Sequence, residues 1–173
     1  MSGTYKEITG DVTLIENPRN TVVLPHVCNN IGLFGAGVAG SIANRWPHVR
    51  EKYLMWCKAF EGKNDLLLGM TQFVYAGVCE NAVNVEKIFV ANMFAMNGVR
   101  SATNRKPLVM SQLKLCMADL VYTAKLKFDT NFEIHCPKFG TVLAGGSWKQ
   151  IRPVINALWI DSGINVTVYN FGG

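Results

Sequence analysis

The sequence predicts an α/β domain, because strand-like and helix-like segments alternate along its 173 residues. Short apolar or β-branched runs bounded by turn residues predict strands, and longer runs with apolar side chains every three or four residues predict helices. A third observation is that two glycine-rich stretches each join a predicted strand to a predicted helix. A chain of this length is sufficient for one domain, so we expect residues 1–173 to form a single domain.

Seven segments have the pattern of strands. They are Tyr5–Ile8, Val12–Ile15, Thr21–Cys28, Gly69–Tyr75, Lys87–Phe94, Phe132–Cys136 and Asn165–Phe171. Within the sixth, we expect His135 and Cys136 to pack in the core.

Three stretches have the pattern of helices. The first runs from Val38 to Phe60, and Pro47 is expected to divide it because proline is favoured at a helix start. The second follows Pro107. The third begins at Ser147, where Ser147 and Gln150 have the spacing of a capping box. The apolar stripes of these stretches predict faces packed on a sheet. The stripe residues are Ile42, Trp46, Val49, Tyr53, Trp56 and Phe60, then Val109, Leu113, Cys116, Leu120 and Ala124, and finally Ile151, Val154, Ile155 and Leu158.

Composition narrows the class of protein. The five cysteines have no close pair among them, which favours reduced thiols in a cytoplasmic protein over a zinc site. No apolar run approaches the ~20 residues of a membrane span, so we expect no membrane association. The net charge is +5, but the basic residues are scattered along the chain. This distribution suits attraction of an anionic small molecule better than a nucleic-acid partner.

The first glycine-rich stretch follows the third predicted strand and contains Gly32, Gly35, Gly37 and Gly40. Glycine permits positive φ and close approach of a ligand to the backbone, and the following helix start offers free N–H groups to a phosphate. The spacing also fits the dinucleotide motif G-x-G-x-x-G. A dehydrogenase is disfavoured, however, because the next predicted strand has no acidic residue at its end.

The second glycine-rich stretch follows the sixth predicted strand and places Gly140, Gly145 and Gly146 around Thr141. Two strand–loop–helix units can face each other across the end of one sheet. Their backbone N–H groups would then hold a diphosphate from both sides.

With both loops the sequence resembles the macrodomain family, and the resemblance covers essentially the whole chain. The matching motifs are Gly10-Asp-Val-Thr13, His26-Val-Cys-Asn29 with the glycine run after it, Pro137-Lys-Phe-Gly140 through Trp148, and Thr167-Val-Tyr169. The resemblance implies a three-layer α/β/α fold around a mixed central sheet. It also implies a site for ADP-ribose or a phosphorylated derivative, with no cofactor and no metal. The branch that contains ADP-ribose-1″-phosphate phosphatase is the most similar one.

The resemblance assigns roles to particular positions. Asp11 and Val12 would lie at the adenine, Phe171 would cover the adenine, and Asn29 would lie at the distal ribose. The first phosphate loop would comprise Gly35, Ala36, Gly37 and Val38. The second would comprise Thr141, Val142, Leu143, Ala144 and Gly145.

The sequence also departs from the ADP-ribosyl hydrolases of the family. Ala39 stands where one class carries an aspartate, and Arg100 and Ala144 stand where another uses a lysine and an aspartate. Arginine stays protonated and alanine has no acid–base capacity, so neither hydrolase chemistry is expected. A phosphatase is favoured, a binding module without chemistry is the alternative, and an ADP-ribosyl hydrolase acting on modified protein or nucleic acid is the least favoured of the three.

Three residues are candidates for phosphate-ester chemistry. His26 has a suitable pKa range for acid–base work, although a core histidine fits its position equally well. Asn29 could orient a ribose hydroxyl or a water molecule. Arg100 could hold a phosphate through two hydrogen bonds, or could be a solvated surface residue. Nothing in the sequence indicates the oligomeric state.

Overall fold

A computed structural model describes residues 1–79 and 85–171. Its strands are β1 (Tyr5–Thr9), β2 (Thr21–Asn29), β3 (Thr71–Val78), β4 (Lys87–Met96), β5 (Phe132–Pro137) and β6 (Val166–Asn170). Its α-helices are α1 (Gly37–Arg45), α2 (Pro47–Ala59), α3 (Met110–Phe128) and α4 (Trp148–Ile155). Short 3₁₀ turns span Asn64–Leu67 and Val142–Ala144, and a π-helical turn spans Asn156–Ile160.

The strands form one mixed sheet in the order β1-β6-β5-β2-β4-β3. Only β3 pairs antiparallel to its neighbour among the described strands, and the other pairs are parallel. Parallel neighbours end at the same edge of a sheet, so the segments that follow β2, β5 and β6 leave the sheet on one side.

Alternation along the strands creates a core on each face of the sheet. In β2, Val23 and Val27 pack with α3 and α4, whereas Val22 and Leu24 pack with α1 and α2. The three-layer α/β/α architecture with a mixed sheet is therefore confirmed.

The predicted helical stripes are largely confirmed by burial. Ile42, Val49 and Tyr53 are fully buried, and so are Leu113 and Leu120. The predicted division at Pro47 is also confirmed, since α2 begins at that residue. In the described part of the chain, none of the helices has the length and apolar character needed to cross a membrane.

The predicted strand Val12–Ile15 is wrong, because this segment is a turn. The Asp11 carboxylate oxygen Oδ1 accepts hydrogen bonds from the Thr13 amide at 2.8 Å and from the Thr13 hydroxyl at 2.7 Å. The Leu14 amide also donates to the Asp11 carbonyl. A side chain that bonds its own backbone two residues on favours a turn over a sheet ladder. Val12 and Ile15 are buried by packing on the sheet rather than by pairing in it.

The predicted capping box is also wrong in detail. Ser147 does occupy the N-cap of α4, but no side-chain capping hydrogen bond forms there. The Ser147 carbonyl instead accepts from the Gln150 and Ile151 amides, so ordinary backbone bonds define the start of the helix.

Candidate functional site

A cleft of about 490 Å³ lies at the sheet edge where β2 and β5 end. Both glycine-rich loops line it. A second cavity of about 240 Å³ adjoins it and shares Gly37, Val38 and Pro137 with it. The predicted residues Asp11, Val12 and Phe171 line this second cavity. The remaining predicted site residues line the first cavity, apart from Gly145: His26, Asn29, Gly35, Ala36, Gly37, Val38, Arg100, Thr141, Val142, Leu143 and Ala144. The fold thus brings residues far apart in sequence to one elongated cleft.

Buried polar side chains hold the first loop. Asn29 Oδ1 accepts hydrogen bonds from the Ile31 amide at 3.0 Å, the Leu33 amide at 3.2 Å and the Tyr53 hydroxyl at 2.8 Å. Asn29 Nδ2 donates to the Leu33 carbonyl at 2.6 Å. The Gly32 amide donates to the Tyr53 hydroxyl, and Gly32 has a φ of 84°, which favours glycine. Both polar atoms of the Asn29 side chain therefore contact the loop itself, and its predicted role at a ribose remains a prediction.

Helix α1 begins inside the cleft. No side-chain hydrogen bond caps this helix, so the first backbone N–H groups have no side-chain acceptor. Gly40 is required by close packing, because a Cβ there would lie 2.7 Å from the Gly35 carbonyl oxygen. Gly35 has no such restriction: a Cβ there would meet nothing within 4 Å. Open space beside a glycine on a cleft wall is suited to close approach by a ligand.

The second loop is held mainly by its own backbone. Gly140 and Gly145 have φ values of 76° and 77°, and the Gly146 amide donates to the Gly140 carbonyl at 2.8 Å. Val142 also has a positive φ, 52°, which is unfavourable for a β-branched residue. Arg100 Nη1 donates to the Val142 carbonyl at 3.1 Å, so the arginine lies at the cleft wall.

His26 lies in the floor of the cleft and is only 2% exposed. Burial lowers its pKa to about 4, so the imidazole is neutral near pH 7. Nε2 lies 2.6 Å from Asn92 Oδ1, while the Asn92 amide donates to Gln72 Oε1 at 3.0 Å. This arrangement requires Nε2 to be the protonated nitrogen and leaves Nδ1 as the acceptor. The contacts are those of a core histidine that also borders the cleft.

Sequence reasoning missed several residues of the cleft. Met96 and Val99 line the larger cavity. Phe34, Lys138 and Phe139, which belong to the two loop motifs but had no individual role, line it as well. Met96 is the last residue of β4, and Val99 follows that strand. The pairing of β4 with β2 would have predicted their place at the cleft, but no glycine-rich motif follows β4 in the sequence. Tyr53 was expected only as a core residue, yet its hydroxyl holds the first loop.

No family model matches the chain. Comparison with individual proteins does find relatives. The ADP-ribose 1″-phosphate phosphatase of Lodderomyces elongisporus is 26% identical over 161 residues, which cover 90% of this chain and 92% of the relative. Among solved structures, a protein of unknown function from Bacteroides thetaiotaomicron is 29% identical, with a TM-score of 0.80 over 98% of this chain and 99% of that one. A macrodomain protein from Streptomyces coelicolor is 28% identical, with a TM-score of 0.75 over 97% and 99% of the two chains. The resemblance to macrodomains is confirmed, and the chain has the macrodomain fold.

Proposed function

We propose that the chain binds ADP-ribose and acts as a phosphatase that removes the 1″-phosphate of ADP-ribose 1″-phosphate. The observation that carries the proposal is the elongated cleft, in which a larger and a smaller cavity meet between two glycine-rich loops. A dinucleotide-like ligand needs this shape, with a base at one end, a diphosphate in the middle and a second ribose at the other end. The name of the Lodderomyces relative, which spans nearly the same length, supports the substrate. We further propose that residues 1–173 form a single macrodomain in the cytoplasm.

The base end of the ligand would occupy the smaller cavity. Both intramolecular hydrogen bonds of the Asp11 carboxylate fall on Oδ1, so Oδ2 is the oxygen for an adenine amine. Phe171 is 77% exposed beside this cavity, where an aromatic ring can stack on a purine. The diphosphate would lie against the start of α1 and the second loop, where backbone N–H groups are directed to an anion.

The 1″-phosphate would lie in the larger cavity near Arg100, which would exchange the Val142 carbonyl for phosphate oxygens. Water attacks phosphorus, the bond from phosphorus to O1″ breaks with its electron pair on O1″, and inorganic phosphate leaves. O1″ becomes the 1″-hydroxyl of ADP-ribose by taking up the proton that the attacking water gives up. In this proposal neutral His26 accepts the proton of the attacking water at Nδ1, and Asn29 fixes the loop on which the ribose lies. The catalytic positions are thus His26 and Arg100, and Asn29 is a positioning residue.

The proposal is tested with purified protein and ADP-ribose 1″-phosphate. We expect release of inorganic phosphate, and a loss of at least tenfold in rate in Arg100→Ala, the order of one charge-assisted hydrogen bond. Calorimetric binding of ADP-ribose without phosphate release would favour the second candidate, a binding module without chemistry. The Ala39 and Ala144 positions favour this second candidate, because they place no acidic group in either loop. Absence of both binding and turnover would refute the two together.

A further inference from the structure

Two buried side chains and one half-buried side chain form a hydrogen-bonded triad behind the smaller cavity. His135 Nε2 lies 2.6 Å from Glu133 Oε1, and His135 Nδ1 lies 2.7 Å from the Tyr169 hydroxyl. His135 and Tyr169 are 5% and 6% exposed. The side chains stand on two paired strands, β5 and β6, on the face of the sheet that carries the segment 10–20.

The chemistry of Glu133 fixes the direction of its hydrogen bond with His135. Burial acts to raise the pKa of Glu133, but the hydrogen bond and charge of His135 and the bond from the Arg19 amide outweigh it, so the pKa lies below its ordinary value. Glu133 is therefore a carboxylate near pH 7, and His135 Nε2 must donate to it. Burial raises the pKa of Tyr169, so its hydroxyl stays protonated beside Nδ1 of His135.

The triad of Glu133, His135 and Tyr169 contacts both ends of the segment 10–20. At the far end, the Arg19 amide donates to Glu133 Oε2 at 3.2 Å. At the near end, the Tyr169 ring lies under Gly10: a Cβ at Gly10 would be 3.7 Å from Tyr169 Cδ2. The Gly10 amide also donates to the Asn170 carbonyl, which follows Tyr169 in β6. Asp11 and Val12 lie immediately beyond Gly10.

Tyr169 belongs both to the triad and to the candidate site, because it lines the smaller cavity with Asp11, Val12 and Phe171. Glu133 and His135 do not line either cavity, and they act on the site only through Tyr169 and the segment 10–20. We propose that Glu133, His135 and Tyr169 are positioning residues that hold the Asp11 turn and thereby set the affinity and selectivity of the cleft for a purine base. This inference rests on the proposed function and adds to it residues outside the glycine-rich loops.

A packing role alone makes a different prediction. If the triad only filled space, apolar residues of similar volume could replace it with little loss of stability and no selective change in binding. A positioning role requires the loss to fall on the base end of the ligand. Binding of AMP, which carries the base, should weaken, whereas binding of ribose 5-phosphate, which lacks it, should not.

The experiment uses Tyr169→Phe, which removes the hydroxyl and keeps the ring at the cavity. Tyr122→Phe is the matched control, because Tyr122 is 67% exposed on α3 and lines neither cavity. We expect AMP and ADP-ribose to bind about tenfold more weakly to Tyr169→Phe, the loss of about 1.4 kcal/mol that one buried hydrogen bond represents. Binding of ribose 5-phosphate should change less than about twofold. Glu133→Gln keeps an acceptor for His135 but not for both donors, so a smaller loss in the same direction is expected.

A second measurement needs no ligand. Amide hydrogen exchange of the segment 10–20 should accelerate in Tyr169→Phe and Glu133→Gln, whereas exchange in α3 should not change. Unchanged exchange together with unchanged AMP affinity in a folded variant would overturn the inference. Wild-type protein that fails to bind ADP-ribose would instead overturn the proposed function, even if the exchange result holds.

Discussion

Each of the two glycine-rich loops joins a strand to a helix, but different interactions stabilise their conformations. In the first loop, the Asn29 side chain and the Tyr53 hydroxyl satisfy backbone groups from the inside. In the second loop, backbone packing dominates: Gly145 and Gly146 have no room for a Cβ, and Val142 takes an unfavourable φ. The first loop therefore depends mainly on side-chain hydrogen bonds, with close backbone packing at Gly40, and the second depends mainly on backbone packing that leaves no space for a Cβ.

The largest loss of stability is expected in the second loop, at a glycine with no space for a Cβ. In Gly146→Ala the new Cβ would lie 2.3 Å from the Gly140 carbonyl oxygen and 2.4 Å from Leu108 Cδ2. The backbone contact cannot be relieved by a rotamer change, so the loop must move. We expect the free energy of unfolding to fall by about 3 kcal/mol, measured by urea denaturation.

Gly35→Ala is the matched control in the first loop. Its Cβ would meet nothing within 4 Å, and the backbone has no positive φ there. Stability should change by less than about 0.5 kcal/mol. The affinity for ADP-ribose should nevertheless fall, because the methyl group would occupy space beside the cleft. If both alanine variants were equally stable, close backbone packing would not be what fixes the second loop.

The second largest effect is expected at His26, in the strand that leads into the first loop. Protonation of this residue should make the stability of the protein depend on pH. Its pKa in the folded protein is about 4, below the ordinary value of 6.5, so the unfolded chain binds more protons between these pH values. Stability from this group is complete above pH 6.5 and is lost as the pH falls toward 4. We expect a loss of about 2 kcal/mol between pH 7.5 and pH 5.

The His26→Gln variant isolates this contribution, because glutamine does not titrate and can still donate to Asn92. Unfolding free energies of both proteins should be measured across the same pH range. The difference between them should shrink as the pH falls. A constant difference would mean that His26 does not lose its neutral form in this range.

The third prediction tests the internal support of the first loop directly. Tyr53→Phe removes the hydroxyl that bonds Asn29 and Gly32 but keeps the ring, which stacks on Phe94 at 5.6 Å between centroids. The amide of the half-buried Gly32 then loses its partner. We expect a loss of about 1.5 kcal/mol in unfolding free energy. An equal loss in Tyr122→Phe, on the exposed face of α3, would show that the effect is not specific to the loop.

The architecture could be predicted from the sequence because the apolar stripes and turn residues that define its elements are recognisable over short stretches of the chain. The stripes of α1, α2 and α3 follow from spacing alone, and Pro47 and the glycines mark where elements begin. Val12–Ile15 was predicted as a strand because its apolar run fits one, whereas the hydrogen bonds that decide for a turn come from one carboxylate. Local side-chain competition of this kind has no periodicity to detect.

The site is predictable only in part, for a different physical reason. Glycines and motif residues mark the loops, so most residues of the cleft walls follow from them. Some residues support the cleft through hydrogen bonds but do not line it. Tyr53, Asn92 and His135 are of this kind, and in the sequence they look like ordinary core residues. Their partners lie on other strands or helices, and their hydrogen bonds become visible only when the sheet order is known.

The smallest effect is expected at Val142, and its sign is opposite to the others. This residue has a φ of 52° and is 77% exposed, so its side chain gives little packing in return for an unfavourable backbone. Glycine adopts this conformation freely, although it also gains entropy in the unfolded chain. We expect Val142→Gly to raise the unfolding free energy by about 1 kcal/mol, and Val142→Ala to raise it by less, since alanine keeps a Cβ. A loss of stability in the glycine variant would show that the valine side chain, rather than the backbone and its bond to Arg100, holds the second loop.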